Sequence, residues 1–357
     1  MLNCYVLNRS DLAVKDYYLS NEYEINIDYL TNEKSSFKSP LNTNAQQGDF
    51  FLAKNVEDGT LKDVAFFGLV DSFEDDKLVA TDVYSLANID FPATRKTGNS
   101  FEVHINTLIH YYLLNDVSKA ITDRLIIRID SNTNYTYQPA DPPTITNMVK
   151  YMINGFRKYN VTWEVESVEY DEENKLKINT VIKQKTKIIN IKNNSYDFLN
   201  WSVYVSPAGR DSENKLLIID KKTADSETPL ILSTWYVDID GNITQSNASV
   251  RTPTKTKIFI YDNTPPEAGQ EDNRPSFQEV ANSELSYSLY SHEIEFDLKK
   301  ENNLLNPKDL EIGLKVNIMY DGVLYPSILT GYIIDNKKST MHLKCGNIRS
   351  TLADILD

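Results

Sequence analysis

The chain has 357 residues, of which 41% are apolar and 25% are charged, and these globular proportions exclude a mainly disordered protein. Asp and Glu number 51 against 37 Lys and Arg, so the net charge of −14 disfavours binding to nucleic-acid phosphates. No apolar run reaches the roughly 18 residues that a membrane-spanning helix requires, and the polar N-terminal sequence leads us to expect no signal peptide.

The first predicted domain, residues 1–97, is an antiparallel β-barrel or a strongly curved sheet. Apolar and polar residues alternate over 20–27, which is the pattern of a strand with one buried face. Asp58-Gly59 separates two alternating apolar runs, and these residue types tolerate the backbone of a tight hairpin turn. The next run contains Gly68, and 77–83 supplies another strand.

The middle of the chain changes character, and we predict an α+β domain over 98–195 with two helices on a small sheet. Apolar periodicity places its helices at 101–112 and 145–156 and its strands at 125–129, 162–169 and 176–182. Residues 196–275 are predicted to form a β-rich insert that ends in an acidic linker containing proline.

The C-terminal segment, 276–357, repeats the pattern of the first domain. Residues 291–298 match 20–27 in type, position by position. A second turn, Asp321-Gly322, is followed by Gly331 at the interval at which Gly68 follows Gly59. The shared order and spacing predict a second, similar β-barrel. The predicted fold class is therefore α+β, mainly β, with two similar antiparallel barrels separated by two inserts.

The matched strands carry acids at equivalent positions. Glu22 matches Glu293, Glu24 matches Glu295, and Asn26 matches Asp297. A solvated outer face explains such charge, because antiparallel sheets usually keep one polar face. The alternative is that these equivalent acidic faces line one wall of an assembly.

Signatures of catalysis are missing from the sequence, and we predict no enzyme activity, cofactor or metal site. His104 and His110 are six residues apart on a predicted helix, which is not the spacing of a metal pair. A peptidoglycan hydrolase that uses paired acids remains an alternative. Cys4 and Cys345 lie in alternating apolar patterns and are predicted to be small buried side chains.

The order of these segments resembles the tail-hub proteins of bacteriophages. The residues that carry the resemblance are Ile312 to Val316, Asp321 to Tyr325, Leu329 to Tyr332, Cys345 to Leu352, and the segments from Asn200 and from Glu213. The family includes the N-terminal domains of tail-associated lysins of siphophages and the baseplate hub of contractile tails.

The resemblance implies a structural virion protein at the tail tip or baseplate, assembled in the host cytoplasm. It implies a homotrimer whose two barrels per chain form a pseudo-sixfold ring against the hexameric distal tail protein. Such a ring holds the tape measure protein, closes the tail tube and opens for DNA passage, and it can carry receptor-binding or lysin proteins. The predicted channel-lining acids are Glu22, Glu24, Glu293, Glu295 and Asp297, which would repel DNA and let it slide.

A different class of function is a β-rich protein that binds carbohydrate on the host surface. In that alternative, Trp163, Trp201 and Trp235, together with the many tyrosines, would supply stacking platforms for sugars. Packing in a core or a subunit interface is the competing explanation for the same three side chains, because each lies within an apolar strand pattern.

Overall fold

The structure is a computed structural model of the chain. It describes residues 1–28, 33–57, 60–92, 100–130, 133, 145–159, 161–185, 187–192, 198–205, 213–238, 243–250, 254–266, 274–285, 292–320 and 322–346. The chain divides into two compact units, whose described parts lie within Met1–Ser202 and Ile294–Ile348 for the first and within Val203–Glu293 for the second. These limits cut across the four predicted domains, whose boundaries stay a prediction.

One large sheet contains strands from both ends of the chain. Its strands are β1 (Leu2–Leu7), β2 (Val14–Ser20), β3 (Tyr23–Asp28), β4 (Ser35–Lys38), β5 (Phe50–Glu57), β6 (Thr60–Glu74), β7 (Lys77–Asp82), β13 (Ile188–Lys192), β14 (Phe198–Val205), β19 (His292–Lys299), β20 (Lys315–Tyr320), β21 (Val323–Asp335) and β22 (Thr340–Gly346). The strand order is β14-β19-β22-β21-β3-β4-β7-β6-β5-β1-β2, and β20 pairs with β21 and with β13. The mainly β class is therefore confirmed.

Strands β1 to β7 curl around a single hydrophobic core. Both end strands of this group contribute to it, through Tyr18 of β2 and Ile25 of β3, together with Phe37, Phe51 and Leu78 from strands between them. Burial of one face in this way matches the alternating sequence. Since β2 and β3 do not pair among the described strands, the group is a strongly curved sheet rather than a closed barrel.

Five strands of the second group repeat the topology of five strands of the first, but β13 pairs parallel to β20 whereas β1 pairs antiparallel to β5. Gly48 and Gly313 both have positive φ, 85° and 84°, and their N–H groups donate at 2.8 Å to the carbonyls of Val70 and Leu329, respectively. The pairing of β6 with β7 shifts just after Val70, and that of β21 with β22 shifts just after Leu329. Val70 and Leu329 are thus structurally equivalent.

This equivalence corrects the alignment of Gly68 with Gly331. Counting from Val70 and Leu329, Gly68 corresponds to Ser327, and Gly331 corresponds to Ser72. The reason is the longer hairpin of β5 and β6, which moves its turn further from the bulge. Gly322 precedes β21 with φ of 78°. The predicted turn residues Asp58, Gly59 and Asp321 lie outside the described residues.

The strand order also changes which strands correspond. Strands β14, β19, β20, β21 and β22 follow one another as β3, β4, β5, β6 and β7 do. The residue match between 20–27 and 291–298 therefore pairs β3 with a strand, β19, that occupies the position of β4. The second repeat begins before residue 276, with β13 and β14, and residues 206–291 separate β14 from β19 along the chain.

Three helices and two small sheets lie between the repeats within the described residues, where two helices on one small sheet were predicted. The helices are α1 (Phe101–Leu108), which continues as a π-helical turn over Ile109–Leu113, α2 (Ala120–Arg124) and α3 (Met148–Tyr159), and the strands are β8 (Asp90–Pro92) paired with β10 (Ile145–Asn147), and β9 (Leu125–Ile129), β11 (Val161–Tyr170) and β12 (Leu176–Gln184). Short 3-10 turns cover Val83–Ala87 and Pro307–Asp309. Ser100 caps α1 by accepting a hydrogen bond from the N–H of Val103.

The second predicted helix starts later than its apolar spacing indicates. Ile145–Asn147 form strand β10, and Asn147 Oδ1 accepts from the N–H groups of Val149 and Lys150. Asn147 is therefore the residue that begins the helix, because its side chain satisfies two otherwise unpaired donors.

The second compact unit is a four-stranded sheet covered on one face by a helix. Its elements are β15 (Lys215–Asp220), β16 (Ile231–Val237), β17 (Ile243–Thr244), β18 (Thr256–Tyr261), a 3-10 turn over Lys221–Thr223, and α4 (Phe277–Leu285). Val280, Ala281 and Leu285 of α4 pack on Leu216 and Trp235 of the sheet. Helix α4 was not predicted; its residues fall in the segment assigned to the second barrel. Among the helices of the described residues, none has the length and hydrophobicity needed to span a bilayer.

The two cysteines are buried free thiols, as predicted. Burial raises the pKa of Cys4 to about 12 and raises the pKa of Cys345 as well. Since the thiolate is the reactive form, we expect neither cysteine to react with an aromatic disulfide reagent at pH 8 in the native protein, and both to react in urea. Absorbance of the released thiol checks this, and rapid reaction of the native chain would contradict it.

Candidate functional site

Four neighbouring strands, β19, β22, β21 and β3, form a surface that contains acids from both repeats. Asn26 and Glu24 of β3 lie opposite Ile333 and Asp335 of β21, and Ile333 also lies opposite His342 of β22. We call this surface the polar face and define it by Glu24, Asn26, Glu295, Asp297, Ile333, Asp335 and His342.

Alternation along each strand fixes which side of the sheet is polar. The neighbours of these residues along the chain point to the other side and are buried, as Ile25, Phe296 and Leu343 illustrate. Because a one-residue slip would exchange the two sides, the apolar side holds the register of the polar face. The predicted acids Glu24, Glu295 and Asp297 therefore lie on one side of one sheet.

His342 joins the two acids of β19. Its Nδ1 lies 2.9 Å from Asp297 Oδ1, and its Nε2 lies 3.8 Å from Glu295 Oε2. A depression of about 260 Å³ opens beside them and is lined in part by Glu24, Asp297, Asp335 and His342. The structure thus brings acids of the two repeats to one depression and adds Asp335 and His342, which the sequence did not single out.

Glu22 precedes β3 and is held by two lysines. Lys337 Nζ donates to Glu22 Oε2 at 2.8 Å, and Lys38 Nζ lies 3.5 Å from Oε1. The hydrogen bond from Lys337 is the main cause that lowers the pKa of Glu22. Glu22 is therefore ionised at neutral pH, but its charge is largely offset by these two lysines.

Glu293 is separated from the other predicted acids by its burial. It lies at the start of β19 with 9% of its surface exposed. Glu24, in contrast, is half-buried and has no ion-pair partner among the described residues. Glu24 instead shares the depression with Asp297, Asp335 and His342.

The polar face is a surface of mixed charge. No group of three or more His, Cys, Asp or Glu within the described ranges has the arrangement that holds a metal ion. Three lysines lie at the margins of the polar face, and each is within ion-pair distance of a carboxylate: Lys38, Lys338 and Lys344. The residues that define the face are half-buried, and the charges at its margins partly offset one another.

The tryptophans are packed against other side chains rather than displayed. Trp163 is 1% exposed and Trp235 is 8% exposed. Trp201 stacks on Phe296 with ring centroids 4.5 Å apart, and Tyr320 lies 5.4 Å from it. Packing therefore explains these three side chains, whereas the tyrosines Tyr17, Tyr111 and Tyr170 are more than half exposed.

No protein-family model and no curated protein matches the chain. Solved structures, however, match its fold along nearly its whole length. A component of the phage P2 virion baseplate in its activated conformation is similar with a TM-score of 0.53 and 15% identity, over 97% of this chain and 98% of the other. A prophage tail protein, gp18, from Listeria monocytogenes gives a TM-score of 0.51 and 12% identity, over 99% and 97%.

A third similar structure comes from another bacterium. The 43 kDa tail protein of prophage MuSo2 from Shewanella oneidensis has a TM-score of 0.51 and 9% identity, over 96% of this chain and 97% of the other. At these identities the likeness concerns the fold. The chain has the fold of phage baseplate and tail proteins, which confirms the fold expected from the resemblance.

Proposed function

We propose that this chain is a structural hub protein of a phage tail tip or baseplate, without enzyme activity. Three copies form a ring in which the two repeats of each chain supply six similar units. The ring closes the tail tube and opens to pass DNA. The observation that carries the proposal is the pairing of β3 with β21, which joins two repeats that share a five-strand topology side by side in one sheet.

The fold supports a structural role, since the proteins that share it along nearly their whole length are described as baseplate or tail components. A threefold ring of a two-repeat chain has six quasi-equivalent positions, which suits contact with a hexameric ring. On this proposal the partners are the distal tail protein hexamer and the tape measure protein, with receptor-binding or lysin proteins attached. The place of action is the tail of the virion.

The polar face supports the lining of a channel. Because Glu24, Asp297 and Asp335 belong to a sheet that runs through both repeats, copies placed in a ring would carry these acids around a common wall. Carboxylates repel phosphates, and the nearby lysines keep the repulsion moderate. DNA would then slide along this wall without adhering to it.

Solution mass and electron microscopy of the full chain test the proposal. We expect a particle with three times the mass of the chain and a central hole, with the polar face around the hole. A monomer that persists at high protein concentration would overturn the ring. A trimer with the polar face on its outer perimeter would overturn the channel wall.

A further inference from the structure

Strand β3 of the first repeat pairs with β21 of the second, and we call this pairing the joint between the repeats. Among the described strands, the two parts that correspond to β3 and β21 do not pair with each other. In the existing joint, β3 runs antiparallel to the end of β21, from Gly331 to Asp335, on the side that β22 does not occupy. Strand β14 has the position in the second repeat that β3 has in the first. The segment that corresponds to Gly331–Ile333 is Ser72–Glu74 of β6.

Both corresponding parts have a free strand edge within the described residues. Strand β14 is the last strand of the sheet and pairs only with β19. On β6, pairing with β5 ends at Leu69, and Val70 bonds to Gly48 and Asp49. Ser72–Glu74 pair with β7 alone. A free edge presents unpaired N–H and carbonyl groups, which another strand can satisfy.

The exposure of Phe73 is the side-chain evidence that the free edge of β6 lacks a neighbouring strand. Tyr332 lies opposite Leu343 of the adjacent strand, and in the same way its equivalent, Phe73, lies opposite Leu78. In the existing joint, Tyr332 also has Ile27 of β3 opposite it and packs against the core. Phe73 has no such cover and is 39% exposed. On β14, Leu199 is likewise 41% exposed.

We infer that β14 of one copy of this chain pairs with the free edge of β6, Ser72–Glu74, of the next copy. The occupant is a second copy because the contact repeats, between chains, the joint that β3 and β21 make within one chain. Each copy supplies β14 to one neighbour and accepts the β14 of the other neighbour at its β6 edge. The contact is therefore head-to-tail, and in a closed ring every β14 and every β6 edge is paired. This inference rests on the proposed ring and names the surface that closes it.

Two single substitutions test the contact from its two sides. Phe73→Lys should block the β6 edge, and Leu199→Lys should block β14. Each variant is expected to lose the trimer and to run as a monomer with an unchanged circular dichroism spectrum, because both side chains are exposed in the single chain. Val117→Lys, a matched change at a residue that is 83% exposed in another segment, should stay trimeric.

A mixture of the two variants gives the sharper result. The intact β14 of Phe73→Lys can dock on the intact β6 edge of Leu199→Lys, so the mixture should form a complex of two chains, one of each variant, by native mass spectrometry. If both single variants stay trimeric, or if their mixture stays monomeric, the head-to-tail contact is overturned while the ring stands. If the wild type itself is monomeric, the proposed function fails first.

Discussion

Replacement of Lys185 by Met should destabilise the protein by about 3 to 5 kcal/mol, the usual cost of breaking a buried ion pair. Lys185 follows β12, is 5% exposed, and its Nζ contacts Glu164 of β11 and Glu311 before β20. Lys183 Nζ adds a contact of 2.9 Å to Glu164. Without Lys185, two neighbouring carboxylates would face each other with only part of their charge compensated.

Lys185 is charged at pH 7, so the effect of Lys185→Met on the ion pairs can be measured at that pH. Burial is the largest cause that lowers the pKa of Lys185, to about 8, and the charge of Glu164 opposes it. The amine is therefore still mostly protonated at neutral pH, and the ion pairs are present. Urea unfolding measures the loss.

Two further variants separate charge compensation from side-chain volume. The triple variant Lys185→Met, Glu164→Gln, Glu311→Gln should recover much of the lost stability, because it removes the stranded carboxylates as well. Lys175→Met, which removes an exposed lysine paired with Glu173, should change stability little. If Lys185→Met behaves like Lys175→Met, the cluster does not stabilise the fold in this way.

Local signals in the sequence were sufficient for the strands and for one helix boundary. Alternation over 20–27 and 291–298 predicts two strands with one polar face, because successive side chains point to opposite sides. Helix α1 begins at Phe101, where its predicted range begins, and the hydroxyl of Ser100 before it accepts from a free N–H of the first turn. The start of α3 was misplaced because the apolar side chain of Ile145 belongs to a short strand instead.

Pairing between distant strands could not be predicted from the same signals. The residue match between β3 and β19 reflects the polar face that they share, whereas the strand order gives β19 the position of β4. Which strand occupies which position depends on contacts between residues far apart in sequence. For the same reason, His342 and Asp335 were missed as neighbours of the predicted acids, since other strands of the sheet supply them.

Equal spacing of glycines had a different cause in each repeat. A Cβ on Gly68 would lie 1.8 Å from the carbonyl oxygen of Thr81, so β7 approaches too closely for any side chain there. Gly331 lies next to the joint with β3, 3.3 Å from the carbonyl oxygen of Ile27 by the same measure. The shared interval therefore reflected two separate close approaches rather than one repeated turn.

Asp82→Asn should make the protein more stable at both pH 5 and pH 8, and the gain should be clearly larger at pH 8. Asp82 ends β7 and is 7% exposed, and its Oδ1 accepts from the N–H of Tyr84. Burial, aided by the nearby charge of Asp28, raises its pKa from 3.8 to about 7. Asn keeps the acceptor for Tyr84 and carries no charge, so it resembles the protonated acid.

The direction in which Asp82 changes stability with pH follows from the protons that the folded and unfolded chains bind. Between pH 4 and pH 7 the folded chain holds a proton on Asp82 that the unfolded chain has released, so this group's stabilising contribution is complete below pH 4 and is lost as pH rises through 7. A shift of this size corresponds to about 2 to 4 kcal/mol at pH 8. Carboxylates with lowered pKa, such as Glu22 and Asp171, act in the opposite direction, so the difference between variant and wild type is the informative quantity.

Urea unfolding of both proteins at pH 5 and pH 8 measures that difference. Asp90→Asn, at an exposed acid on β8, removes the same charge and should leave the pH dependence as in the wild type. If the free energy of unfolding changes with pH equally in Asp82→Asn and the wild type, Asp82 is ionised in the folded chain without loss of stability. Asp82 lines a cavity of about 230 Å³ together with Tyr84, Glu164 and Tyr332, so such a result would require water or a cation inside that cavity to solvate its charge.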